Sequence, residues 1–315
     1  MSISNYFKPK PNANNPRAPR VKIAEETLEV IKKGSYTHNG TVYILKDKVE
    51  ALKRGTRYYA GDSLLSNWRH SPSTVAAAGG EKERSTSVSI LEMTTLEGAR
   101  YLSKNTTTPQ TIGVLNFASA KKPGGGFLTG AQAQEESIAR SSTLYPSLMT
   151  DIAQNFYNYH LKPEQKKNFF YSHAMIYSPG VVVFRDDEGK WADPLEVDIL
   201  TSAAVNAGEV RKNTPSDAEA EAERKIEREM KERMARVLYL FEMRGTKDLV
   251  LGSFGTGVFQ NRVDMVARLW AELLSTRFQT SFDKVVFAII GRRTFDEFQE
   301  YFNEHHSTQT VQSQS

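Results

Sequence analysis

Cysteine is absent from the 315 residues, which excludes disulfides, a thiol nucleophile and thiolate metal sites and leaves any chemistry to oxygen and nitrogen groups. Long apolar runs are missing too. Nothing approaches the roughly 20 residues that cross a bilayer, and the opening MSISNYFKPKPNANNPRAPRVK lacks the apolar centre of a secretory signal. An intracellular protein of the nucleus or cytoplasm, away from membranes, is therefore expected. Excess charge of one sign is small, with 41 Lys and Arg against 37 Asp and Glu. The basic residues are dispersed, although the first 22 residues hold five of them and no acid, which weakly favours a polyanionic partner. Internal repeats are also lacking. What is present is ample apolar material, 39% hydrophobic and 10% aromatic residues, enough for a sizeable core.

Residues 1–20 are rich in Pro, Asn, Lys and Arg and read as a disordered basic tail. Within it Ile3, Tyr6 and Phe7 resemble the short motif that docks replication and repair proteins on a sliding clamp, without that motif's glutamine. Residues 21–86 read as helices and turns in an N-terminal extension, opening on VKIAEETLEVIKKG with helical spacing at Val21, Ala24, Leu28 and Ile31. From residue 87 to 305 short apolar strands alternate with amphipathic helices, the pattern of a three-layer α/β domain with a mixed central sheet, and residues 306–315 read as a polar tail. The run Asp217 to Arg236 carries seven acids and six bases. Its spacing predicts a solvated helix face with i,i+4 pairs Glu221/Lys225, Glu227/Lys231, Glu229/Arg233 and Glu232/Arg236 above an apolar stripe of Ile226, Met230, Met234 and Val237.

Two glycine-rich segments, GGGFLTGA and GSFGTGVFQN, each follow a predicted strand, where ligands of α/β sheets bind. Glycine lets backbone approach a ligand and adopt positive φ, so that successive N–H groups converge on an anion. Gly252, Gly255 and Gly257 precede a helix expected near Asn261 or Arg262, a phosphate-cradle position. Neither loop completes a Walker or dinucleotide fingerprint. Glu135 and Glu136 open a helix, where acids are favoured by the macrodipole. Adjacent carboxylates in a cleft also have a chemical use, since like charges raise one pKa and make a general acid.

Gly124, Gly125 and Gly126, then seven residues, then Gln134, Glu135 and Glu136, with VLNFASAKKP before them and GSFGTGVFQN after, resemble the signature of the microbial-type poly(ADP-ribose) glycohydrolases. The resemblance covers roughly residues 87 to 305 and implies a macrodomain fold, α/β/α. It implies that Glu136 is the catalytic acid of ribose-ribose bond hydrolysis, that Glu135 hydrogen-bonds the distal ribose hydroxyls, and that Asn116 orients the same sugar. By the same resemblance Gly124 to Gly126 and Gln134 shape the ribose loop. Gly255, Thr256, Gly257 and Val258 bind the diphosphate, and Phe259 packs against the distal ribose. No cofactor and no metal are implied, and the partner is poly(ADP-ribose) or another ADP-ribosylated substrate, met by a monomer in the reversal of ADP-ribosylation after DNA damage. Cleavage from chain ends is what the microbial branch suggests. Phe295, after the last strand, is a candidate for stacking on adenine by analogy with other macrodomains, and His305 and His306 read as solvated. Two other readings stay open: a hydrolase for mono-ADP-ribose on protein or nucleic acid, and a non-catalytic reader, which the intact glutamate pair disfavours.

Overall fold

The computed structural model describes residues 15–70, 85–105 and 110–312, with side chains as far as 306. In chain order the elements are α1 (Ala18–Lys33), the hairpin β1 (Ser35–His38) and β2 (Thr41–Ile44), α2 (Lys46–Gly55), β3 (Arg57–Tyr59), β4 (Ser87–Glu92), α3 (Thr95–Asn105) and β5 (Ile112–Phe117). There follow α4 (Gln134–Ser141), α5 (Leu144–Leu148), α6 (Asp151–Leu161), β6 (Met175–Arg185), β7 (Trp191–Ser202), α7 (Ala207–Lys212) and α8 (Glu219–Met243). The chain closes with β8 (Asp248–Leu251), α9 (Val263–Ser275), β9 (Lys284–Ile289) and α10 (Arg292–Gln312). No helix among the described residues is long and apolar enough to cross a membrane.

A seven-stranded sheet runs β3-β6-β7-β5-β8-β9-β4. From β7 to β4 the neighbours are parallel, while β6 is antiparallel to both β7 and β3. Side chains alternate between the faces of a strand, and the apolar strands here are buried on both. Leu115, Leu249, Leu251, Val285 and Phe287 share one core cluster with α8, α9 and α10. Ile112, Val114, Val250, Val286 and Ala288 share another with α3, α5 and α6. These two clusters make the α/β/α layering, and the parallel strands bring the ends of β5, β7, β8 and β9 to one edge.

Several expectations are corrected. The segment 21–86 is not only helices and turns: it carries the β1-β2 hairpin, and β3 joins the central sheet as an edge strand paired with β6. Three residues are too few to show a period, and the pairing partner lies more than a hundred residues away. Met175–Arg185 form one long strand, β6, with a register shift between Ser178 and Val181. Pro179-Gly180, a turn signal in sequence, is thus a bulge. The basic tail ends earlier than expected, because α1 begins at Ala18.

The charged helix exists as α8, and Ile226, Met230, Met234 and Val237 are buried, but its polar face is less solvated than expected. Of the four expected pairs, Glu232-Arg236 forms at 2.8 Å. Glu227 turns to Arg268 on α9 at 2.8 Å, Lys231 to Glu272, and Glu229 to His173 at 3.1 Å. Arg233 is fully buried and donates to the carbonyls of Ala203 and Phe170 at 2.8 and 2.9 Å. Nor do His305 and His306 lie in a solvated tail. Both sit on α10, where His306 stacks on Phe302 at 5.4 Å and burial lowers its pKa. The clamp-like Ile3, Tyr6 and Phe7 lie outside the described residues.

Candidate active site

A cavity of about 480 Å³ opens at the carboxyl ends of β5, β8 and β9, within the range of small-molecule sites. Gly125, Gly126, Gln134, Glu135 and Glu136 line one side and Gly255 to Phe259 the other. Two segments more than a hundred residues apart in sequence are therefore brought together. Among the described residues no group of three or more His, Cys, Asp or Glu is placed to hold a metal ion.

The loop after β5 is shaped by φ of +68° at Gly124 and +59° at Gly125, the left-handed region that side chains disfavour. A Cβ on Gly125 would fall 3.0 Å from Oε2 of Glu135 and closer still to Oε1 of Glu136. The absence of a side chain is thus what lets the loop fold over both carboxylates. Gln134 anchors the next element: its Oε1 accepts from Phe117 N at 2.8 Å and its Nε2 donates to Leu115 O at 2.7 Å, stapling the first residue of α4 to the end of β5.

The glutamates do not spend their carboxylates on their own helix, which decides against a purely macrodipole role. Glu135, 3% exposed, accepts from Ser119 N at 2.7 Å and from Asn116 Nδ2 at 3.4 Å. Glu136 Oε1 accepts from Gly126 N at 2.8 Å. Burial pushes the Glu135 carboxyl up to about 8, opposed by the Ser119 amide and reinforced by the neighbouring Glu136. A raised carboxyl has a stability consequence. Below about 4.5 both folded and unfolded states hold the proton; between 4.5 and 8 only the unfolded state releases it, so the contribution of Glu135 falls as pH rises. His160, lowered to about 4 by burial, acts oppositely but only below its ordinary value of 6.5. The window from 6.5 to 8 therefore isolates the glutamate. Glu135→Gln is expected to be stabilised relative to wild type on going from pH 6.5 to 8, by on the order of 1–2 kcal/mol, read from paired thermal or denaturant melts. A constant difference across that window would disprove a neutral Glu135.

Asn116 is not at the cavity surface. It is fully buried, its Nδ2 donates to Glu135 and, at 3.2 Å, to Thr201 Oγ1, and its Oδ1 has no partner among the described residues. Its reach in this geometry is to the Glu135 carboxyl. Gly124 likewise stands behind the lining, against Phe127 and Ala139.

Across the cavity, Gly255 has φ +78°, and a Cβ there would meet Asn261 Nδ2 at 2.7 Å and Ala204 Cβ closer still. Asn261 holds the loop by donating to Val205 O and Gly255 O at 2.7 and 3.0 Å. Thr256 N is committed to Ser253 O at 3.2 Å. Among the described residues the amides of Gly255, Gly257 and Val258 donate to no backbone carbonyl, and Val258 is 82% exposed. Adjacent free N–H groups are what an oxyanion needs. The start of α9 at Val263 matches expectation, but its first turn already carries Asp264, paired with Arg262. Phe259 lines the cavity with its ring 5.8 Å from Tyr171. Phe295 does not line it; it is buried against the core at 9% exposure, and Ile290 and Thr294 occupy the rim instead. Sequence reasoning missed Ser119, whose contribution is a backbone amide and leaves no side-chain signal. It also missed Thr201, which meets Asn116 only through the β5-β7 pairing.

The family model for microbial-type PARG, catalytic domain, where PARG is poly(ADP-ribose) glycohydrolase, matches residues 24–186. That span begins inside the segment read as an extension and includes both glutamates. No curated protein sequence matches the chain. Among solved structures, poly(ADP-ribose) glycohydrolase from Thermomonospora curvata is 36% identical with a TM-score of 0.77, covering 91% of this chain and 99% of that one. The same protein bound to the inhibitor ADP-HPD is 37% identical with a TM-score of 0.76, covering 91% of this chain and 99% of that one. The enzyme from Deinococcus radiodurans in complex with ADP-ribose is 34% identical with a TM-score of 0.69, over 82% of this chain and 97% of that one. With the domain match across half its length and identities above 30% over most of it, the chain belongs to the microbial-type poly(ADP-ribose) glycohydrolase family.

Proposed function

We propose that this protein hydrolyses the ribose-ribose O-glycosidic bonds of poly(ADP-ribose), releasing ADP-ribose from chain ends, with Glu136 as the acid. The observation that carries the reading is the Gly126 N–H held on Glu136 Oε1 at 2.8 Å at the cavity wall, which fixes a carboxyl where a bound sugar would lie. In its acid form Glu136 gives its proton to the leaving ribose oxygen as the anomeric C–O bond breaks, and positive charge develops on the distal ribose. Water then attacks the anomeric carbon and its proton returns to the Glu136 carboxylate.

Glu135 takes the distal ribose hydroxyls, and Asn116 keeps Glu135 in place. The free amides of Gly255, Gly257 and Val258 hold the diphosphate, and Phe259 presses on the ribose so that the anomeric carbon stays near the acid. Cleavage at chain ends follows the microbial branch of the family; α1 packs against the turn that follows the glycine triplet. Arg20 Nε donates to Gly130 O at 2.7 Å, and a Cβ on Gly130 would run into the Arg17 backbone.

The test is incubation with poly(ADP-ribose) and, in parallel, mono-ADP-ribosylated protein, with products followed by chromatography. Free ADP-ribose accumulating from the first instant, without shorter oligomers, is the expected result. Oligomers appearing first would overturn chain-end cleavage. Release from the mono-modified protein alone would replace the polymer as substrate.

A further inference from the structure

We infer that Tyr171, which does not line the cavity, is a positioning residue for Phe259, and that the loop 168–172 is built to hold it in a strained conformation for that purpose. The inference rests on the reading of Phe259 as the aromatic that presses on the distal ribose. Tyr171 has φ +54°, a region that a bulky residue rarely occupies and that persists only where its surroundings impose it.

Here they impose it from both sides. The carbonyl before it, Phe170 O, accepts from the fully buried Arg233 at 2.9 Å. The amide after it, Ser172 N, donates to His160 Nε2 at 3.1 Å. The His160 ring lies edge-on to Tyr171 at 5.6 Å, and the lowered pKa of His160 keeps it neutral and able to accept that bond.

What the strain accomplishes is aim. It turns the Tyr171 ring to within 5.8 Å of the Phe259 ring, at 46°. Asn206 N donates to Phe169 O at 2.9 Å, two residues before Tyr171. Asn206 also caps α7, and α7 holds the main chain of Phe259: Gly208 N donates to Phe259 O at 3.1 Å, and Arg211 Nη1 to Gln260 O at 2.6 Å. The backbone of Phe259 is therefore fixed by α7 and its ring by Tyr171, and Asn206 joins the two supports. The carbonyl of Ala203, beside the cavity-lining Ala204, is held by the same Arg233 at 2.8 Å. The strained loop and the segment leading into Ala204 thus share one anchor.

A positioning role predicts a loss in kcat that passes entirely through Phe259. The experiment compares steady-state release of ADP-ribose from polymer by wild type, Phe259→Ala, Tyr171→Asn, Tyr171→Phe and the double variant Phe259→Ala/Tyr171→Asn. Asparagine tolerates the left-handed backbone, so Tyr171→Asn removes the ring while sparing the loop. Its expected effect is about a tenfold fall in kcat with a smaller change in KM. Tyr171→Phe, which keeps the ring, is expected to restore kcat to within about threefold of wild type. The double variant should be no slower than Phe259→Ala, since two residues acting as one unit are not additive.

If Phe259→Ala is impaired while Tyr171→Asn turns over at the wild-type rate, the inference is wrong and the reading of Phe259 stands. If Phe259→Ala itself turns over normally, that reading falls and takes the inference with it. A double variant slower by the product of the two losses would assign Tyr171 a route of its own and also overturn the inference. Should Tyr171→Asn fail to fold, Tyr171→Gly, which adopts positive φ without cost and has no ring, takes its place, and wild-type kcat there counts against the inference in the same way.

Discussion

Glu136→Gln is expected to lose turnover of poly(ADP-ribose) by about 10³-fold, the scale of a general acid, while still binding ADP-ribose. The substitution is close to isosteric, and the amide oxygen can continue to accept from Gly126 N, which Glu136 Oε1 does at 2.8 Å. The loop, the neighbouring Glu135 and the second glycine loop are therefore left in place. What disappears is the proton that the leaving ribose oxygen needs, and the carboxylate to which water would return one. Binding by calorimetry and release by chromatography must be measured on the same preparation, because a folding defect would remove both together. Turnover within tenfold of wild type would show that the acid lies elsewhere. Loss of both binding and turnover in a folded variant would make Glu136 a ligand-binding residue first.

The separation of roles proposed for these two adjacent glutamates could be stated from sequence only through the resemblance to the family. Residue types alone left Glu135 and Glu136 as ordinary acids in a helix's first turn. What distinguishes them is where their carboxylates go: Glu135 to Ser119 N in the preceding loop, Glu136 to Gly126 N inside the glycine run. The glycine triplet was legible because its chemistry is local, a backbone that must bend left-handed and lie close to other atoms. The alternating strands were legible for a similar reason, since burial on both faces leaves continuous apolar runs such as VVFAI.

The rest depends on pairings that a linear reading does not contain. Asn116 turns inward because Thr201 stands beside it in the sheet, and β3 is a strand because β6 is there to pair with it. Arg233 reads as one more charge on a solvated helix, yet it is the buried anchor of the Ala203 and Phe170 carbonyls. Phe295 has the right place in the chain for an adenine platform, but α10 turns it into the core among the residues around Phe287 and Phe298. Helical phase, set by where α10 begins, decides which of Thr294 and Phe295 faces the cavity.

Gly125→Ala is the second change with a large expected effect, and its contrast with Gly257→Ala tests what each loop is for. At Gly125 the backbone sits at φ +59°, so alanine brings a conformational cost of about 1 kcal/mol. The methyl also falls against both carboxylates, 3.0 Å from Glu135 Oε2 and nearer to Glu136 Oε1. The neighbours cannot yield without breaking bonds that define the site, because Glu135 is tied to Ser119 N and Glu136 to Gly126 N. Relief must come from withdrawal of Glu136 or of the loop, and displacement of the acid by even 1 Å is expected to lower kcat by about 100-fold. At Gly257 the φ is not positive and an added methyl meets no atom within 4 Å. The carboxylates stay where they are, and any loss appears as weaker ADP-ribose binding where the methyl crowds the diphosphate. Gly125→Ala should therefore lose kcat with ligand still bound, and Gly257→Ala should raise Kd with kcat largely kept. Near-normal kcat in Gly125→Ala would mean that the loop adapts without moving the acid, and that the glycine is there for the ligand rather than for the glutamates.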